Sequence, residues 1–305
     1  MLKSNFDYLV FGANGQDGFF MTRYLLKNNF RVVAVIRNNL ECLNGLKTKY
    51  KKNLKIIQIK VYNFNNFNKI YKTIRVKKIF FFSGFSKIPE NDSEKKKCLN
   101  GNFKIFKLYI DFVIKFYHTQ KILYISSSEI FGSNQKRKRN EKSKLKPDNF
   151  YGECKAETQK LIISKRQQNS LFISTAIAYN HDSILTPQNH LLVSLFKKFK
   201  QAKRKITIFN PNDYRNLSHV YDFLPIFKKI LDMKKSDDFI MANDKDHKII
   251  DIVKLINRKF YKNRFLINTS SRKKFSLSRK ADNGKIKKFF NFDPNYDIYK
   301  ILKRF

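Results

Sequence analysis

Two short stretches of this sequence carry side chains able to move protons. The first, "YISSSEIFG" at 124–132, ends an apolar run with Ser126, Ser127, Ser128 and one carboxyl, Glu129. The second, "PDNFYGECKAETQKL" at 147–161, places Tyr151 four residues before Lys155. On a helix that spacing puts both on one face. An ammonium beside a phenol stabilises phenolate, which predicts a Tyr151 pKa lowered from its usual ~10. A carboxyl just past a buried strand suits general acid/base work. Ser126 and Ser128 read equally well as local backbone hydrogen-bonders.

A third stretch, "FGANGQDGFFMTRYLL" at 11–26, spaces Gly12, Gly15 and Gly18 as GxxGxxG between an apolar strand and a helical pattern. Absent Cβ atoms there let the backbone turn tightly and approach a pyrophosphate, and the helix N-terminus adds free N–H groups. With only nine glycines in the chain, this cluster points to a dinucleotide. The strand at 31–36 is followed by Arg37, where an acid would bond a ribose 2′-hydroxyl and an arginine pairs with a 2′-phosphate. NADP is therefore favoured over NAD, although a basic chain also places arginines on its surface with no such role.

The elements that must hold these residues alternate. Strands are predicted at 7–12, 31–36, 54–59, 78–84, 121–127 and 171–179, each short and apolar on both faces, with helical patterns between them. That is the signature of a covered parallel sheet. The fold class is α/β, a Rossmann-like doubly wound parallel sheet with a smaller C-terminal substrate-binding lobe. Residues 1–178 form the dinucleotide-binding domain, with 206–235 returning to it, and 179–205 and 236–305 form the lobe. Helices are predicted at 189–201, 219–233, 248–260 and 282–292, with Pro225 delaying or kinking the second. A further strand is predicted at 238–243.

Composition narrows the classes. A chain of 305 residues with 42% hydrophobic residues, 31 Phe and no Trp can build a sizeable core. No stretch approaches the roughly 18–20 apolar residues of a membrane span, and the N-terminus lacks signal-peptide features, so a cytoplasmic location and no membrane partner are expected. Cys42, Cys98 and Cys154 form no CxxC pair, so reduced thiols and no metal are expected. The net charge of +40 is spread along the whole chain, as an AT-rich coding sequence would also produce. Its densest run, 134–146, reads as a solvated loop that attracts an anionic substrate rather than nucleic acid.

Taken together, these motifs resemble the extended short-chain dehydrogenase/reductases that act on nucleotide sugars, and most closely the GDP-mannose 4,6-dehydratase family. "GANGQDGFF" is similar to the family's glycine loop, "SSSEIFG" to its Ser/Thr–Ser–Glu strand end, and "YGECK" to its Tyr-xxx-Lys. "YNHDS" at 179–183 and "YRNLSHVYDF" at 214–223 resemble two further segments. The resemblance covers the chain from about residue 6 to the last helix.

It implies that Tyr151 takes the proton of the sugar 4-OH, that Ser127 hydrogen-bonds the 4-oxygen, and that Lys155 holds the cofactor ribose. Glu129 would remove the C5 proton before water leaves C6. Gly12, Asn14, Gly15, Gln16, Asp17, Gly18, Arg37 and Ser83 would contact NADP together with Tyr151 and Lys155, while Ser86, Ser128, Asn180, Arg215 and Arg272 would contact the sugar nucleotide, GDP-mannose above others. A homodimer or homotetramer is implied, because relatives assemble through the Tyr–Lys helix. His181 and His219 read as structural. The chain departs from the family at "ILTPQNH" (184–190), where an arginine-rich segment is replaced, at Asn216 in place of an Asp, and at Asn63. Other expectations on the same fold are a 4-epimerase, which has no need of Glu129, and a UDP-glucuronate decarboxylase. A non-catalytic NADP- or RNA-binding relative is a different class.

Overall fold

The structure, a computed structural model, describes residues 3–133, 137–188, 190–270 and 278–304. In chain order the strands used below are β1 (Tyr8–Phe11), β2 (Val32–Ile36), β3 (Leu54–Gln58), β4 (Lys78–Phe81), β5 (Lys121–Ser127), β6 (Phe172–Ala178), β7 (Asn180–Asp182), β8 (Lys205–Phe209), β9 (Tyr214–His219), β10 (Asp238–Met241), β11 (Asp246–Lys248) and β12 (Leu266–Ser270). The helices are α1 (Gln16–Lys27), α2 (Asn44–Lys49), α3 (Phe64–Thr73), α4 (Asp92–Leu99), α5 (Ile105–Phe116), α6 (Phe150–Asn169), α7 (Leu191–Gln201), α8 (Val220–Asp232), α9 (Ile249–Tyr261), α10 (Gly284–Phe290) and α11 (Ile298–Leu302).

Seven strands form one sheet in the order β10-β6-β5-β4-β1-β2-β3. The pairs β1–β2, β1–β4, β2–β3 and β4–β5 all run parallel. This is the doubly wound Rossmann arrangement, whose strand order reverses between β1 and β4 and opens a crevice beyond their carboxyl ends. Strands β1 and β2 are buried at every position, because helices on both faces of a parallel sheet leave no solvated side.

By compactness the chain divides into two units. One contains Met1–Ile130, Pro147–Ile177 and Phe223–Phe239; the other contains Phe131–Lys146, Ala178–Asp222 and Ile240–Phe305. The first unit packs an aromatic-rich core, with Phe11 against Tyr109 at 4.9 Å and Phe106 against Tyr124 at 4.4 Å between centroids. Offset and tilted rings fill such a core well. Their polar tips are paired: the Tyr71 and Tyr109 hydroxyls lie 2.6 Å apart, and Gln120 accepts from both. Helix α8 runs through Pro225 without ending, which removes one backbone donor but is offset by an apolar face buried at Phe223, Leu224 and Phe227.

The second unit has its own core, in which Leu192, Phe196, Leu217, Ile252 and Ile256 take part. Its strands pair β8–β12 parallel, β7–β9 parallel and β9–β11 antiparallel. His219 is buried there, its ring stacked on Tyr296 at 4.2 Å. Its Nδ1 accepts from the Tyr221 N–H at 3.2 Å.

Within the first unit, the Arg166 guanidinium on α6 donates to the Ile173 carbonyl and pairs with Asp238 of β10 at an exposure of 16% for both side chains. Removing the carboxylate leaves a largely buried cation with one acceptor fewer. Asp238→Ala is expected to cost about 2 kcal/mol and to lower the melting temperature by roughly 5 °C, read by thermal denaturation, with Asp238→Asn recovering part of the loss.

Candidate active site

The loop after β1 is built from close backbone contacts. Gly12 has φ 75° and its N–H bonds the Val35 carbonyl at 3.0 Å. A Cβ at Gly12 would lie 2.7 Å from the Ser83 N, and one at Gly18 would lie 2.1 Å from the Gly12 carbonyl oxygen. Both positions demand glycine, the first also for its left-handed backbone. Asn14 donates to the Asn38 carbonyl at 2.7 Å, which ties the loop to the residues after β2. Gly15 is the N-cap of α1 and offers no side chain to the first-turn N–H groups. Gln16 and Asp17 occupy that first turn. These residues fit a pyrophosphate: a cradle free of Cβ atoms leads into a twelve-residue helix.

Arg37 follows β2 and is exposed. Its charge acts to lower the Tyr62 phenol, which burial raises. The Tyr62 and Ser83 hydroxyls lie 3.2 Å apart. Arg37, Tyr62 and Ser83 thus share one neighbourhood past the ends of β2 and β4.

The proton-moving residues gather at the end of β5. Strand β5 closes at Ser127, and Ser128–Phe131 form a single 3₁₀ turn that carries Glu129. Ser127 Oγ accepts from the Glu129 N–H at 3.3 Å and also hydrogen-bonds the Tyr151 phenol. The Glu129 carboxylate accepts from Asn149 Nδ2 at 2.8 Å. Asn149 is the N-cap of α6, its Oδ1 accepting from the Gly152 N–H at 2.9 Å.

Lys155 lies 3% exposed, one turn beyond Tyr151. Its Nζ donates to the Ile125 carbonyl at 2.9 Å and to the Tyr124 hydroxyl at 3.0 Å, and stands 5.9 Å from the centre of the Tyr151 ring. Loss of water pushes the ammonium from the ordinary lysine value of 10.5 down to about 7, against the opposing pull of Cys98, Asp17 and Cys154.

The Tyr151 phenol moves in the opposite direction from the sequence expectation. Burial raises it well above 10; the Ser127 hydrogen bond works against this, and the charges of Glu129, Cys98 and Asp17 add to the rise. The physical reason is that the helix spacing was right but the ammonium is committed elsewhere. Lys155 bonds β5, and desolvation dominates at both groups.

Four residues that support this cluster escaped the sequence reading. Tyr124 passes its own proton to the Asn102 carbonyl at 3.0 Å, and Thr158 Oγ1 donates to the same carbonyl at 2.7 Å. Asn102 sits in a single π turn, Asn100–Lys104, between α4 and α5. Its side chain exchanges two hydrogen bonds with the Phe85 backbone, at 3.1 and 3.0 Å. The Gly-Asn pair inside an otherwise helical run was the available signal for a distorted turn. Asn149 is the fourth: beside Pro147 and Asp148 it reads in the sequence as a start of α6, whereas its bond to Glu129 does not.

The remaining predicted residues are scattered. Ser86 is exposed, whereas Ser128 is buried. Asn180 and Arg215 belong to the second unit: Asn180 lies opposite Leu217, and Arg215 lies opposite His247 and donates to the Tyr214 carbonyl at 2.9 Å. Arg272 lies outside the described residues. Among the described residues no group of three or more His, Cys, Asp and Glu could hold a metal, and no helix is long and apolar enough to cross a membrane.

The sheet order, the glycine turn and the Tyr–Lys helix together define an enzyme of the nucleotide-sugar dehydratase/epimerase class of short-chain dehydrogenase/reductases. Residues 9–304 match the sequence profile described as GDP-mannose 4,6 dehydratase, and the chain belongs to that family. The human GDP-mannose 4,6 dehydratase is 21% identical over 263 residues, which are 80% of this chain and 70% of that one. The Dictyostelium discoideum enzyme is 20% identical over 266 residues, 80% of this chain and 73% of its own. Among solved structures, dTDP-glucose 4,6-dehydratase from Bacillus anthracis in complex with NAD superposes with a TM-score of 0.83 at 17% identity, covering 98% of this chain and 94% of that one. UDP-glucose 4-epimerase from Thermotoga maritima gives 0.82 at 17%, covering 98% and 96%.

The depressed Lys155 has a consequence for stability. The folded state releases this proton near pH 7 and the unfolded chain near 10.5. Between those values the unfolded chain binds more protons, so this group makes stability rise with pH. In the cofactor-free protein, Lys155→Met is expected to flatten the rise in melting temperature between pH 7 and pH 10, measured by calorimetry across that range.

Proposed function

We propose that this chain is a GDP-mannose 4,6-dehydratase that uses NADP. The Gly12–Gly18 cradle, with Asn14, Gln16 and Asp17, would hold the pyrophosphate, Arg37 the 2′-phosphate, and Ser83 and Lys155 the remainder. A nicotinamide cofactor held there would supply hydride chemistry, as acceptor from sugar C4 and donor to C6. Arg37 carries the preference for NADP, since an arginine at this position pairs with a phosphate better than with a hydroxyl.

The protein's own groups handle the protons. Tyr151 receives the proton of the 4-hydroxyl, while Ser127, already bonded to the phenol, stabilises the same oxygen. Lys155 is fixed in place by Ile125 and Tyr124 and keeps positive charge near the forming carbonyl. The 4-keto group acidifies C5–H, and Glu129 removes that proton. The 6-hydroxyl takes that proton from Glu129 and departs as water, leaving a C5–C6 double bond conjugated with the 4-keto group; hydride at C6 and a proton at C5, which balances the one Tyr151 took from the 4-hydroxyl, would complete the product. In this reading Ser86 and Ser128 contact the sugar, and Asn180, Arg215 and Arg272 the nucleotide diphosphate.

The single observation that carries the reading is the Glu129 carboxylate, held one turn past Ser127 beside the Tyr151 phenol on which its charge acts. Oxidation at C4 needs one proton acceptor, whereas elimination across C5–C6 needs a second. The family match supports the choice of GDP-mannose.

Purified protein is to be incubated separately with GDP-mannose, dTDP-glucose, UDP-glucose and UDP-glucuronate, and product masses read. The expected result is loss of water from GDP-mannose, with Glu129→Gln slowing turnover about 10³-fold. Loss of carbon dioxide from UDP-glucuronate, or epimerisation without change of mass, would contradict it. The nucleotide released on denaturing the protein is expected to be NADP.

A further inference from the structure

We infer that Asn149 is a positioning residue for the Glu129 base, a role that rests on the dehydratase reading above. Its side chain uses both of its donors and one of its two acceptor positions. Oδ1 accepts from the Gly152 N–H at 2.9 Å, while Nδ2 donates to Glu129 Oε2 at 2.8 Å and to Asp148 Oδ1 at 3.1 Å. The orientation of the amide is not arbitrary: the helix N–H must meet an acceptor, so the NH₂ group must face the carboxylates. The N-cap of α6 is therefore also the clamp on Glu129.

Other good N-caps could not do both. Serine would satisfy the Gly152 N–H but has no second donor reaching the carboxylate, and aspartate would oppose Glu129 with a like charge. A second feature ties the same two segments. A Cβ on Gly152 would lie 2.6 Å from the Glu129 carbonyl oxygen, so the first turn of α6 packs directly on the backbone that bears the base. Gly152 follows Tyr151 immediately. Through Asn149 and Gly152, the 4-hydroxyl acceptor and the C5 base are held at one fixed separation.

The test compares wild type, Asn149→Ser, Glu129→Gln and the double variant with GDP-mannose and its C5-deuterated form. Asn149→Ser keeps a cap, so its melting temperature is expected to stay within about 2 °C of wild type. Its kcat is expected to fall about 10-fold with KM unchanged. The isotope effect from C5 deuterium on kcat is expected to rise, because C5–H cleavage becomes slower than the other steps. Adding Asn149→Ser to Glu129→Gln is expected to cost nothing further. In the ligand-free protein, the Asn149 side-chain amide resonance is expected to move when Glu129 becomes Gln. A variant with wild-type kcat and isotope effect, or an amide signal indifferent to Glu129→Gln, overturns this inference alone. A wild type that releases no 4-keto-6-deoxy product overturns the functional reading, and the role of Asn149 with it.

Discussion

A lysine ammonium held out of water at the end of a parallel strand is the constraint around which the first unit is arranged. Lys155 is satisfied by a strand carbonyl and a phenol, neither of which carries a compensating charge. Such a group is costly to keep protonated, and its neighbours are arranged accordingly. The Tyr124 ring lies 4.7 Å below the ammonium and packs on Phe106. The Tyr124 hydroxyl is in turn anchored on the Asn102 carbonyl, which Thr158 also reaches. That carbonyl is available because the helix distorts into a π turn at Asn100–Lys104. The strand end, the two helices and the aromatic core thus meet at one amine.

Tyr151 and Glu129 meet different surroundings at the same strand end. Burial and the nearby charges of Glu129 and Asp17 raise the Tyr151 phenol against the Ser127 hydrogen bond, so that once ionised it is a strong base for the 4-hydroxyl proton. Glu129, half-buried on an otherwise buried 3₁₀ turn, is bonded by a neutral amide. The first turn of α6, in which Gly152 follows Tyr151, packs on the Glu129 carbonyl and so keeps the two groups close together.

Much of this was legible in the residues themselves. Short apolar strands alternating with amphipathic helices specify a covered parallel sheet, and the strand order follows from right-handed crossovers. The glycine spacing was readable because backbone contacts such as Gly18 on Gly12 tolerate no Cβ. Ser127, Glu129, Tyr151 and Lys155 were readable because their types match a chemistry. The direction of the Tyr151 shift was not, since helix spacing reports proximity to Lys155 and says nothing of a competing carbonyl and phenol on β5. Asn102 and Asn149 were opaque for a related reason: an asparagine carries no charge, and its value depends on which carbonyls, carboxylates and helix N–H groups meet it in three dimensions. The small β9–β11 pair of the second unit has polar sequences such as "YRNLSH" that lack the alternation a surface strand usually shows.

The most direct measurement of the central claim follows one atom. GDP-mannose carrying deuterium at C4 is turned over by the protein, and the position of the label in the product is read by NMR. The account predicts that the deuterium appears in the C6 methyl group, because the hydrogen taken from C4 is returned after the elimination that Glu129 promotes. Deuterium retained at C4 would contradict it, and would mean that hydride returns to the carbon it left, as in a 4-epimerase, which has no need of Glu129.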